Sequence, residues 1–214
     1  MHFEKNHLYH IFNQGNNHQR IFFSEENYLF FIEKMRVHLL PYCDILAWCL
    51  LPNHFHLMTK VNQVELPVAT DTHGVTLSHP VSKNRTLNDS IAIMLRSYTR
   101  AINKQEQRSG ALFRESTKAE CLDCSKGITP SFYNSRMGTQ IHIHNPEKSY
   151  PQVCFNYIHQ NPVKAHLVNR DENWPWSSYR DVTGLRNGTL INRELIKELD
   201  LLTYSSDDSK SSDE

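Results

Sequence analysis

The run Leu50-Leu51-Pro52-Asn53-His54-Phe55-His56-Leu57-Met58 sets a histidine on each side of one large apolar residue inside a hydrophobic stretch. Successive side chains of a strand point to opposite faces, so His54 and His56 project together while Phe55 and Leu57 face a core. Two neutral imidazoles are good ligands for a divalent ion, yet they fill only part of its coordination sphere. A third ligand must come from another element. The segment from Pro151 through Ile158 reads as a helix, since proline suits a first helical turn, and Tyr157 and Asn161 are one i, i+4 step apart and share a face. An amide oxygen from Asn161 completes a His54/His56/Asn161 set for Mg²⁺ or Mn²⁺, with the Tyr157 hydroxyl beside whatever the ion polarises. A phenol attacking phosphorus there forms a covalent phosphotyrosine, and the cation helps to lower a phenol pKa that is ordinarily about 10.

Competing candidates exist. His142-Ile143-His144 has the same histidine spacing but lies in a stretch poor in regular structure. Tyr98 is the rival nucleophile, on an apolar helical stripe where an aromatic belongs to the core. Asn161 also stands just before Pro162, where it is read as the end of its helix. Cys121-Leu122-Asp123-Cys124 has zinc-knuckle spacing without a second pair, so free thiols are the plainer expectation.

The elements that must position these residues follow from periodicity and breakers. His7 to Phe12 reads as a first strand, and Asn13-Gln14-Gly15-Asn16-Asn17 as a loop. Ser24 is an N-cap for a helix carrying Tyr28, Phe31, Ile32, Met35 and Leu39 until Pro41. Asp44 to Leu51 and His54 to Val61 read as adjacent strands joined tightly by Pro52-Asn53. Residues 62 to 86 read as a long loop, and Leu87, Ile91, Met94, Leu95, Tyr98 and Ile102 form the stripe of a second helix. Leu112 to Leu122 is expected to include a strand, and Asp123 to Lys148 to be irregular. Trp174-Pro175-Trp176 reads as a turn packed on the core, and Asn192 to Leu201 as a short helix.

Charge bounds the partner. The 214-residue chain carries 23 basic and 23 acidic residues, which argues against bulk attraction to a polyanion. Between Arg96 and Lys118, however, six basic residues (Arg96, Arg100, Lys104, Arg108, Arg114, Lys118) face two acidic ones, and screening limits the reach of distant acids to about 10 Å at 0.1 M salt. This local surface is a candidate for phosphate contact. There is no apolar run long enough for a membrane span, and Met1-His2-Phe3-Glu4-Lys5 lacks the profile of a secretory signal, so the expected location is cytoplasmic. Five cysteines, an odd count, fit a reducing compartment.

His54-Phe55-His56 resembles the histidine-hydrophobic-histidine (HUH) motif, and Tyr157-Ile158-His159-Gln160-Asn161-Pro162-Val163-Lys164 resembles the tyrosine signature of the REP-associated tyrosine transposases. Tyr9-His10-Ile11-Phe12-Asn13-Gln14-Gly15-Asn16-Asn17, Ser97-Tyr98-Thr99-Arg100, Arg108 to Arg114 and Trp176-Ser177-Ser178-Tyr179 are similar to that group in the same order, so the likeness spans residues 7 to 180. It departs at Gln14, where the group often has arginine, and after Arg114, where Glu115-Ser116-Thr117-Lys118 replaces a common Gly-Arg pair.

The resemblance implies an α+β fold of the ferredoxin-like or RRM-like HUH nuclease type: an antiparallel sheet of four or five strands, helices packed on one face and a metal-dependent nuclease site on the other. It implies cleavage of single-stranded DNA near a hairpin, with Tyr157 as nucleophile, His54, His56 and Asn161 as Mg²⁺ or Mn²⁺ ligands, and Lys164 with the Arg96 to Lys118 set as DNA contacts. The implied partner is hairpin-forming single-stranded DNA in a nucleoid-associated setting, and both monomer and homodimer are open. The implied organisation is a transposase-like domain over residues 1–185, a helical extension over 186–204 and a disordered acidic tail over 205–214. The alternative function is a non-cleaving binder of DNA or RNA hairpins, and a replication-initiator-type nickase is disfavoured by the lack of a helicase segment.

Overall fold

In the computed structural model, residues 1–67, 84–124, 132–135, 138–141 and 150–201 are described. Four strands form one antiparallel sheet: β1 (Leu8–Gln14), β2 (Cys43–Leu51), β3 (His54–Val61) and β6 (Lys118–Cys121), in the order β2-β3-β1-β6. The β2–β3 hairpin turns at Pro52-Asn53 with Leu51 opposite His54, so the turn fixes which face each histidine takes. On β1 the register sets Phe12 opposite His56 and Gln14 opposite His54, and on β6 it sets Lys118 opposite Phe12 and Glu120 opposite His10. Directly paired residues share a face, so His10, Phe12, Gln14, His54, His56, Lys118 and Glu120 all project from the same side.

The other side is the main core. α1 (Glu25–His38) and α2 (Leu87–Gln105) pack there, with Phe31 meeting Phe55 at 5.2 Å between ring centroids and Tyr98 at 5.0 Å. α1 starts where the Asn27 side chain accepts from the backbone N–H groups of Phe23 and Ser24, and α2 starts with a reciprocal exchange between Thr86 and Asp89. α3 (Tyr150–Lys164) lies on the histidine face, so the sheet is helix-covered on one face by α1 and α2 and crossed on the other by the helix that carries Tyr157.

Several boundaries differ from the sequence expectation. β1 runs on to Gln14 because Asn13 and Gln14 pair with Phe55 and His54. The ends of the expected long loop pair as β4 (Glu65–Pro67) and β5 (Asn84–Thr86). The stretch expected to be irregular contains an antiparallel pair, β7 (Phe132–Ser135) and β8 (Gly138–Ile141). α3 does not stop at Asn161: it includes Pro162 and continues to Lys164. A proline removes one donor and crowds the carbonyl four residues back. Here the Asn161 side-chain amide donates to the Tyr157 carbonyl (2.7 Å) in that same turn. The true end is a Schellman arrangement, with Leu167 N–H on the Pro162 carbonyl, His166 N–H on the Val163 carbonyl and His166 at φ 56°.

The C-terminal segment is built into the domain. Leu50 N–H donates to the Trp176 carbonyl and Ser178 N–H to the Trp48 carbonyl, and Trp176 stacks on Tyr28 at 4.5 Å. Short helices α4 (Tyr179–Val182) and α5 (Arg193–Glu198) follow. The Arg186 guanidinium grips the buried Asp181 carboxylate with two bonds of 2.7 Å, and the Asn192 backbone N–H donates to the Ile45 carbonyl, so residues past 185 are anchored to β2. The His142-Ile143-His144 pair and the expected acidic tail lie outside the described residues.

Candidate active site

The histidine face carries a cleft of about 320 Å³ lined by Phe12, Asn13, Gln14, His54, His56, Arg114, Ser116, Lys118 and Tyr157. His54 and His56 stand with ring centroids 5.0 Å apart and planes near perpendicular. Tyr157 reaches across from α3, its ring 5.4 Å from that of His56 and 6.0 Å from that of His10. Three elements far apart in sequence thus meet at one cleft.

Each histidine of the pair has one ring nitrogen held. His54 Nδ1 is 2.6 Å from the Asn53 Oδ1, which can only accept, so His54 is protonated at Nδ1 and offers the Nε2 lone pair. His56 Nδ1 is 2.9 Å from His10 Nε2, and His10 Nδ1 lies 4.0 Å from a Glu120 carboxylate oxygen. With His10 protonated on Nδ1, the side facing the Glu120 carboxylate, His10 Nε2 accepts from His56 Nδ1–H. His56 then also offers Nε2. Burial holds all three imidazoles neutral, with His10 lowered to about 3, His54 to about 4 and His56 well below its ordinary value. Neutral imidazoles with free Nε2 atoms on one cleft fit a divalent ion.

Around Tyr157, burial raises the phenol pKa and a hydrogen bond from the Asn161 side chain works against that rise. The Lys164 ammonium lies 5.6 Å from the centre of the Tyr157 ring. Asn161 does not line the cleft: it is 8% exposed and its amide nitrogen is turned to the Tyr157 carbonyl. Tyr98, by contrast, is fully buried with its hydroxyl on the Ile21 carbonyl at 2.8 Å. It is a core residue.

Of the basic residues, Arg114 and Lys118 line the cleft and Lys164 stands beside Tyr157. Arg96, Arg100 and Lys104 lie on the exposed side of α2, beyond the opposite face of the sheet, and Arg108 is tied to Gln19 at 2.6 Å. Arg114 is steadied by His18 at 3.0 Å, and His18 by Gln14 at 3.0 Å. The loop that brings them together passes through Gly15, where a Cβ would collide with the Gln19 carbonyl oxygen. His10, Glu120 and Asn53 escaped the sequence reading. The signal for His10 was the alternation of His10, Phe12 and Gln14 along β1, but it became informative only once the β1–β3 register was known.

These features define an α+β protein with an antiparallel four-stranded sheet, helices packed against it and a histidine-tyrosine cleft, consistent with the HUH transposase fold. Among solved structures, the chain is similar to a REP-associated tyrosine transposase bound to a REP hairpin, at TM-score 0.51 and 15% identity over 90% of this chain and 92% of that one. The likeness is one of fold. No family model and no curated protein matches the chain. No helix among the described residues is long and apolar enough to cross a membrane.

Proposed function

We propose that this chain is a metal-dependent single-stranded DNA endonuclease and strand transferase, acting beside DNA hairpins and holding the cut 5′ end on Tyr157. The reading rests on one observation, the meeting of Tyr157 from α3 with His54 and His56 from β3 at a cleft edged by Arg114 and Lys118. The hairpin bound by the protein of similar fold favours the same class of substrate. His54 and His56 are the residues to hold Mg²⁺ or Mn²⁺, with Asn161 as the third protein ligand once its side chain turns from the Tyr157 carbonyl toward the cleft; the ion when bound would neutralise charge on the scissile phosphate. Arg114 and Lys118 hold the flanking phosphates, and the Lys164 ammonium favours the phenolate of Tyr157 over the phenol. The Tyr157 oxygen forms a bond to phosphorus as the bond from phosphorus to the 3′ oxygen breaks. The phenol proton passes to solvent and the departing 3′ oxygen takes one up. Because one phosphoester replaces another, a 3′-hydroxyl can attack the phosphotyrosine in reverse and rejoin strands without an external energy source.

The test uses 3′-labelled single-stranded hairpin DNA taken from beside the gene, with Mn²⁺ or Mg²⁺, run on a denaturing gel. A metal-dependent labelled protein band, lost in Tyr157→Phe and kept in Tyr98→Phe, is the expected result. Retarded DNA on a native gel with no covalent band would instead assign the chain as a hairpin-binding protein.

A further inference from the structure

We infer that His7, Cys121, Asp123 and Cys124 form a second metal site, for a zinc-type ion, at the far end of the β1/β6 pair from the cleft. One ligand atom from each of the four lies within 4.8 Å of all the others. Around a tetrahedral zinc with bonds of about 2.0 to 2.3 Å, ligand atoms sit roughly 3 to 4 Å apart, so small side-chain adjustments close the shell. The donor set is two thiolates, an imidazole and a carboxylate, a mixture that suits Zn²⁺ and is poor for Mg²⁺ or Mn²⁺. It therefore does not draw Mg²⁺ or Mn²⁺ away from the cleft.

The strand pairing builds the cluster. Leu122 N–H donates to the Leu8 carbonyl at 2.8 Å and Leu8 N–H donates to Asp123 Oδ1 at 3.0 Å, which clamps the exit of β6 to the entry of β1. That clamp sets His7 Nδ1 3.1 Å and Cys121 Sγ 3.4 Å from the same Asp123 oxygen. Cys124 returns to Cys121 across the turn, with their Cα atoms 5.7 Å apart. Each of the four is at least partly open to solvent, as a site loaded from solution requires. The other three cysteines, Cys43, Cys49 and Cys154, are buried in the core, so this pair is the reactive one.

In the structure Cys121 and Cys124 are joined as a disulfide, which is the oxidised, metal-free form of the site. Two equivalents of a small thiol supply the two electrons and two protons that convert it to the dithiol, becoming a disulfide themselves. The ion then displaces both thiol protons and takes the two sulfurs as thiolates. Bound there, it staples edge strand β6, only four residues long, to β1. Lys118 and Glu120 of the candidate active site ride on that strand.

The experiment is cobalt and zinc titration of the full chain, reduced with a small thiol that is then removed under anaerobic conditions, with accessible thiols counted in parallel. The expected result is one tight zinc per chain and, with Co²⁺, a near-ultraviolet thiolate-to-cobalt charge-transfer band. The band should persist in the double variant His54→Ala/His56→Ala and vanish in Cys121→Ser/Cys124→Ser. Zinc affinity should drop at least tenfold in His7→Ala and in Asp123→Asn, which leave both sulfurs in place and so do not depend on the cysteine variant folding. Two free thiols with no charge-transfer band would overturn the inference, as would zinc affinity unchanged in both His7→Ala and Asp123→Asn.

Discussion

His54 and His56 need their rings oriented, and the fold does this with different partners: Asn53 for one and the His10–Glu120 chain for the other. A buried imidazole that fixes a ligand's tautomer acts through that ligand, so His10→Ala should weaken Mn²⁺ binding about 10- to 100-fold while leaving Tyr157 in place. Calorimetric metal titration of the variant checks this, and unchanged affinity would remove His10 from the site. The two tyrosines are expected to separate cleanly. Tyr98→Phe strips a buried hydroxyl from the Ile21 carbonyl and should cost about 1 to 3 kcal/mol in urea unfolding with the covalent band retained. Tyr157→Phe should lower the unfolding midpoint less than Tyr98→Phe does, because its half-buried hydroxyl gives up a single bond with the Asn161 side chain at the edge of the cleft.

At the scale of elements, the β2–β3 hairpin was legible in extent, since Pro52-Asn53 and the apolar run on each side bound both strands to within a residue, whereas the register shift between Ile45 and Ala47 was not. α3 was legible in place but not in length. A proline is an ordinary stop signal, and the hydrogen bond from Asn161 back to its own helix that accompanies its continuation is a side-chain choice periodicity does not reveal. The pairing of Glu65–Pro67 with Asn84–Thr86 was also hidden, because three-residue strands carry too short a pattern to read. α3 is secured from behind: His159 Nε2 is 2.8 Å from Ser178 Oγ, which also accepts from Trp48 N–H. Burial lowers the His159 pKa to about 3 from an ordinary 6.5. Between those values the unfolded chain binds a proton that the native state refuses, so this contribution is intact above pH 6.5 and stability falls by about 1.4 kcal/mol per unit as pH drops below it. His10, His54 and His56 act in the same direction. Urea midpoints should therefore fall steeply from pH 7 to pH 5, and His159→Gln should make that fall shallower.

Over the whole molecule, a net charge of zero conceals an uneven layout whose geometry only the fold supplies. The run from Arg96 to Lys118 looked like one basic surface, but the sheet lies between its two halves. α2 carries Arg96, Arg100 and Lys104 behind the main core, while Arg114 and Lys118 reach the cleft on the other side. Each phosphate contact on a single strand contributes about 0.7 to the slope of log affinity against log salt. Replacing Arg114, Lys118 and Lys164 by alanine together should therefore reduce that slope by about 2 for hairpin-bearing single-stranded DNA, and replacing Arg96, Arg100 and Lys104 should leave it nearly unchanged. Equal losses in the two triple variants would show that the DNA wraps both faces.

Whether Tyr157 itself becomes bonded to DNA is read from mass spectrometry of the digested protein-DNA product. The expected result is a nucleotide-bearing peptide containing Tyr157, formed only with Mn²⁺ or Mg²⁺, together with a released fragment ending in a 3′-hydroxyl. A cut strand with every Tyr157 peptide unmodified, or a nucleotide attached to another residue, would contradict it.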